Sequence, residues 1–125
     1  MSKRIATGDA PQALGPYSQG IDDGAYVFVS GQVGVDPATG KTADGVAAQA
    51  EQAFANVGAV LRASGCAWSD AVKVTLWLTD AAHFAVVNEI YGRFVGDPPP
   101  ARSAPIVAGI PRGFLISVEA VAKKP

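Results

Sequence analysis

Between Ala71 and Thr79 the apolar side chains recur at every second residue. Val72, Val74, Leu76 and Leu78 fall on one side of an extended chain, and Lys73, Thr75, Trp77 and Thr79 fall on the other. A period of two over that length dictates a β-strand, so the rest of the chain must supply a sheet for it to join. The preceding segment has a different period. From about Asp44 to Ser64, Val46, Ala50, Ala53, Phe54, Val57 and Leu61 recur at helical spacing, while Gln49, Gln52, Asn56 and Arg62 fall largely elsewhere. Asp44 is placed to cap that helix and Gly65 to close it. Asp80 caps a second helix with Phe84, Val87, Tyr91, Phe94 and Val95 as its apolar stripe, and Gly96 with Pro98, Pro99 and Pro100 stops it.

On either side of this unit the signals are again those of strands. Ile21 to Gly31 reads as a hairpin turning at Asp22, Asp23 and Gly24, with Ala25 to Ser30 as its β-rich arm, and Asp36 to Gly40 as a further turn. Ala101 to Ala108 and Phe114 to Ala122 read as two more strands, joined through Gly109, Pro111, Arg112 and Gly113. The order β-hairpin, α, β, α, β, β predicts an α+β domain, a mixed β-sheet with two helices packed on one face. A length of 125 residues with no internal repeat or linker makes residues 1–125 one domain. Two helices cover only one face, yet Trp77, Leu115 and Val121 put apolar bulk on the other. That predicts an oligomer burying the second face, with any ligand cleft near the subunit boundary.

Charge and cysteine content narrow the function classes. Ten Lys and Arg against 11 Asp and Glu give a net charge of −1, which argues against a chain whose main task is gripping nucleic acid or an anionic membrane. The single cysteine, Cys66, forms no intrachain disulfide. The charged start at Met1 to Arg4 is not followed by an apolar stretch of signal-peptide length, and no 18-residue apolar window exists. The expectation is a cytoplasmic domain. The only histidine, His83, lacks partners at metal-ligand spacing, so no metal site is expected. Neither a phosphate loop nor a nucleophile elbow is present, and Cys66 beside Ala67 and Trp68 reads as a packing or exposed residue.

A small set of polar residues in apolar surroundings remains. Arg102 follows three prolines and precedes Ser103, Ala104, Pro105, Ile106 and Val107, a stiff setting from which a guanidinium fork suits a carboxylate or, equally, a salt bridge. Glu119 sits within Leu115 to Ala122, where a carboxylate needs a partner. It reads as a general acid/base, or as the counter-ion of an arginine across an oligomer interface. Tyr17, in the turn-rich Gly15 to Gly20 run, and Ser30, before Gly31 at a strand end, offer hydroxyls or backbone donors to a ligand, or simply pack turns.

Taken together these residues resemble a known family. Ile5, Ala6, Thr7, Ala10 and Pro11, then GPYSQG at Gly15 to Gly20 and VSGQ at Val29 to Gln32, are similar to the Rid family of reactive intermediate deaminases, also called the YjgF family. The likeness runs on through Ala48, Gln49, Gln52 and Asn56, through Val72 to Thr75, through Phe84, Val87, Asn88 and Tyr91, and through Pro100 to Ser103. It ends with Val118 to Ala122 and so spans essentially the whole chain. The resemblance implies a chorismate-mutase-like fold of the bacillus type and a homotrimer with clefts between subunits. It implies a RidA-like hydrolytic deaminase, a 2-iminobutanoate/2-iminopropanoate deaminase that turns imines and enamines such as 2-aminoacrylate and 2-iminobutyrate into 2-keto acids and ammonia without a cofactor. Pyridoxal-phosphate-dependent dehydratases would supply these substrates.

Residue by residue, the resemblance places the carboxylate-binding arginine at Arg102, the active-site glutamate at Glu119, and ligand-lining positions at Tyr17, Ser30, Gly31 and Asn88. One departure stands out: Ala104 occupies a position where many members carry cysteine. Other readings of the same fold are an RNA-cleaving or translation-inhibiting protein, and a noncatalytic metabolite-binding or holdase module. The balanced charge and single histidine weigh against a dedicated nuclease.

Overall fold

In the computed structural model, which describes residues 2–125, the helical-period segment forms α1, Gly45–Ala63. Ala50, Ala53, Phe54, Val57 and Leu61 are buried on it as the spacing requires. Its C-terminus closes as expected at Gly65, whose φ is +82°: the Gly65 N–H donates to the Arg62 carbonyl and the Cys66 N–H to the Leu61 carbonyl, satisfying two end carbonyls at once. At the other end Asp44 has an extended capping backbone, but its side chain makes no capping bond. Two of the polar residues expected away from the core, Gln49 and Asn56, are buried instead. Asn56 Nδ2 donates to the carbonyls of Val33 (3.0 Å) and Val35 (2.9 Å), and Gln49 Oε1 accepts from the Leu115 N–H (2.9 Å). Loop backbone crossing a helix needs such partners, and these amides supply them.

The hairpin is β2, Gly20–Asp22, and β3, Tyr26–Gln32. At its turn Asp22 Oδ1 accepts from the Gly24 N–H, and Asp23 Oδ1 accepts from Ala25 and Tyr26. The alternating run is β4, Ala71–Leu78. Asp80 Oδ1 accepts from the Ala82 N–H (2.8 Å), capping a short 3-10 turn that leads into α2, Phe84–Phe94. A strand not read from the sequence, β1 at Lys3–Ile5, pairs antiparallel with β2. The expected strand Ala101 to Ala108 is shorter: β5 covers Ala101–Ser103 and runs parallel to β4, because Pro105 cannot donate to a ladder. The last strand, β6, is Ile116–Lys123.

The strands order as β1-β2-β3-β6-β4-β5, a mixed sheet, antiparallel except for β4 and β5. Only one face is buried. Val27, Val29, Val74, Leu76, Leu78, Ile116, Val118, Ala120 and Ala122 join the helices in a single core, so both helices lie on that face. Val72 departs from the alternation. The β4–β6 register shifts between Ala71 and Lys73, and this bulge turns Val72 outward while Ala71 takes the inner position. Phe28 and Val72 are exposed on the open face, where Thr75, Trp77 and Val121 are half-buried. Among the described residues no helix is long and apolar enough to cross a membrane.

A charge pair ties the hairpin to the end of β6. Lys124 Nζ donates to Asp22 Oδ2, and the Lys124 N–H donates to the Ala25 carbonyl. The Lys124 hydrogen bond, with help from the Gly24 N–H, holds the Asp22 carboxyl below its ordinary pKa, and Asp22 raises that of Lys124. The Asp22 contribution is therefore complete above the ordinary carboxylate range and lost as pH falls through its lowered folded value. That of Lys124 is complete below the ordinary lysine range and lost as pH rises through its raised value. Thermal melts of Lys124→Met against the parent chain should show a shallower acid-side loss of stability in the variant. Superimposable acid limbs would mean that the pair contributes nothing.

Candidate functional site

Phe84, Asn88 and Tyr91 are spaced four and three residues apart, so they share one stripe of α2. Arg102 lies in register with Val74, a core-facing position, and its side chain leaves β5 toward that stripe. Its Nη1 donates to Asn88 Oδ1 at 2.5 Å, and its Cζ lies 5.1 Å from the ring centre of Tyr91 and 5.4 Å from that of Phe84. Tyr91 is buried, and its hydroxyl has no hydrogen-bond partner. Burial pushes its phenol pKa up, opposed by the Arg102 charge. Among the described residues no carboxylate pairs with Arg102, which is exposed. A guanidinium steadied by a neutral amide and two ring faces keeps most of its donors free for an anion.

Glu119 leaves the other face of the sheet. It is in register with Thr75, whereas Arg102 aligns through Val74 with Ala120. In one chain the two charged groups therefore point to opposite faces, with β4 between their strands. Glu119 Oε1 accepts from Trp77 Nε1 at 2.6 Å. On the β3 side the pairing jumps from Val29 opposite Ala120 to Gln32 opposite Val118, so Ser30 and Gly31 bulge against Glu119 alone. Ser30 is fixed twice: its Oγ donates to the Ser18 carbonyl (2.6 Å) and its N–H to the Gln19 carbonyl (2.9 Å). A Cβ on Gly31 would stand 2.7 Å from Ser117 Oγ, so only glycine lets that hydroxyl lie against the bulge unmoved.

Tyr17 is 52% exposed in the loop before β2, its N–H donating to the Gly15 carbonyl. It lines a cleft of about 750 Å³ with Gly31, Ser117, Arg112 and Phe114. The sequence-selected residues thus fall into two groups: Arg102 with Asn88 on the helical side, and Glu119 with Ser30 and Gly31 on the open face beside the Tyr17 cleft. Sequence reasoning missed Trp77 as the partner of Glu119, treating it as apolar bulk, and missed Ser117. Their shared outward parity was visible, but their adjacency depends on β6 pairing with β4. The stripe holding Arg102 was legible as spacing, though read as packing. Cys66 is buried, and the Nδ1 of His83 is buried without a partner.

Comparison with known proteins finds relatives over nearly the whole chain. The family model described as "Endoribonuclease L-PSP" matches residues 7–124. The chain is 46% identical to the 2-iminobutanoate/2-iminopropanoate deaminase of Salmonella typhimurium, covering 98% of each chain. It is also 46% identical to protein DfrA of Myxococcus xanthus, over 96% of this chain and 94% of that one. The crystal structure of E. coli TdcF with bound serine superposes with a TM-score of 0.94 at 39% identity, over 98% of this chain and 99% of that one.

Proposed function

Since the chain belongs to the endoribonuclease L-PSP family, which is the Rid or YjgF family, we propose that it is a hydrolytic deaminase of small 2-imino and enamino acids, releasing 2-keto acids and ammonia. The observation that carries this reading is the prepared but carboxylate-free guanidinium of Arg102. A 2-imino acid presents a planar carboxylate next to its C=N bond, and two parallel N–H donors fix that carboxylate and the adjacent electrophilic carbon together.

The chemistry asks little more of the protein. Water adds to the imine carbon, a proton goes to nitrogen, and the C–N bond breaks as the carbonyl forms and ammonia leaves. Glu119 orients or deprotonates the water and returns a proton to the leaving nitrogen. Ser30, Gly31, Tyr17 and Asn88 shape and steady the pocket. No cofactor, metal or thiol enters the scheme, which suits Ala104 at the position where many members carry cysteine.

Because Arg102 and Glu119 leave opposite faces of one sheet, a complete site requires more than one copy of the chain. A chorismate-mutase-like homotrimer with clefts between subunits supplies it, and covers Phe28 and Val72 on the open face. A cytoplasmic setting beside dehydratases that release such imines goes with this reading. The test adds purified protein to a threonine or serine dehydratase reaction with semicarbazide as the imine trap. Keto acid should form faster than it does spontaneously, at the expense of the semicarbazone. No acceleration for any side chain tried, or cleavage of RNA in its place, refutes the reading.

A further inference from the structure

A tryptophan at position 77 brings something that a purely apolar side chain would not: an indole N–H on the open face that needs an acceptor. It finds one in Glu119. Trp77 is in register with Ser117, two residues along β6 from Glu119, so the 2.6 Å bond runs diagonally across the β4–β6 pair. It is a bond to a carboxylate, the stronger kind, and it engages Oε1 alone. Among the described residues Glu119 has no cationic partner, and Oε2 has no hydrogen-bond donor. An exposed carboxylate would otherwise sample several rotamers, and a reaction that depends on its placing a water loses rate with each unproductive one.

We propose that Trp77 is the positioning residue for Glu119: its indole N–H fixes one carboxylate oxygen and the side-chain rotamer, leaving the other oxygen to act on the reacting water. The inference rests on the deaminase reading above and adds to it which side chain sets the geometry of the acid/base.

The test uses Trp77→Phe, which keeps an aromatic ring but loses the indole N–H together with its five-membered ring, with Glu119→Gln and the double variant as the controls that isolate the part of the effect acting through the carboxylate. In the dehydratase-coupled assay, Trp77→Phe should lower kcat about tenfold with KM within about twofold, because carboxylate anchoring at Arg102 is untouched. In the Glu119→Gln background the same change should alter kcat by less than about twofold, since its effect acts through the carboxylate. Independently of turnover, the Trp77 indole N–H proton, identified in NMR spectra by its loss in Trp77→Phe, should move upfield in Glu119→Gln. The Trp68 indole, bonded to the Phe54 carbonyl, should stay in place. An unchanged kcat in Trp77→Phe, a change confined to KM, equal effects in both backgrounds, or an indole resonance indifferent to Glu119 each overturns the proposal. Failure of the parent chain itself to accelerate hydrolysis is a different result: it removes the deaminase reading, and the proposal with it.

Discussion

Arg102→Ala should abolish most of the acceleration of imine hydrolysis, lowering kcat/KM by roughly thirtyfold to several thousandfold. That range corresponds to the roughly 2 to 5 kcal/mol lost when one partner of a desolvated, hydrogen-bonded charge pair is removed. The loss should fall largely on KM, since the proposed mechanism assigns substrate holding to the guanidinium and proton handling to Glu119. Stability should change little, because Arg102 is exposed and its interactions within the chain are one amide and two ring faces. Arg102→Lys should recover only part of the activity: an ammonium keeps the charge but has neither the planar fork nor the stacking surface that Tyr91 and Phe84 present. Steady-state kinetics on both variants, with melting curves as the folding control, decide the matter. Wild-type kcat/KM in Arg102→Ala would remove Arg102 from the site.

The largest expected effect on stability lies behind that arginine. Phe54 is fully buried on α1, with the rings of Phe94, Tyr91 and Trp68 centred 5.3, 5.7 and 6.0 Å away. Phe54→Ala removes the hub of this cluster and should cost about 3 to 5 kcal/mol, read from the midpoint of denaturant unfolding. That is a large share of the roughly 5 to 15 kcal/mol a domain has in total. Tyr91 links this cluster to the proposed site, since its ring is centred 5.7 Å from that of Phe54, in a tilted arrangement, and also carries the Arg102 guanidinium. Phe54→Leu should retain much of the lost stability. An unfolding midpoint for Phe54→Ala within error of the parent would show that the cluster is not the centre of the core.

Local chemistry made much of the fold legible. The period of α1, the glycine that ends it, the Asp80 cap and the alternation of Val74, Leu76 and Leu78 are all decided within a few residues of where they act. What escaped depended on distant partners. β1 is three residues long and exists because β2 offers an edge. Val72 faces out because β6 shifts register beneath it. Asn56 and Gln49 are buried because loops far along the chain need donors and acceptors. The same holds for the site. Arg102 and Glu119 were legible as charges in apolar surroundings, and the family likeness suggested the roles proposed for them. Their departure to opposite faces became visible only once β4 was known to lie between β5 and β6.

The sheet order carries one more consequence. β6 is the keystone: it alone joins the β1-β2-β3 half to the β4-β5 half, and it is the last strand to be synthesised. While a ribosome is still translating residues 116–123, the emerging polypeptide holds two sheet fragments with no ladder between them. Completion is thus a late, long-range closure in the vectorial growth of the chain, of the sort that slows folding compared with helical bundles.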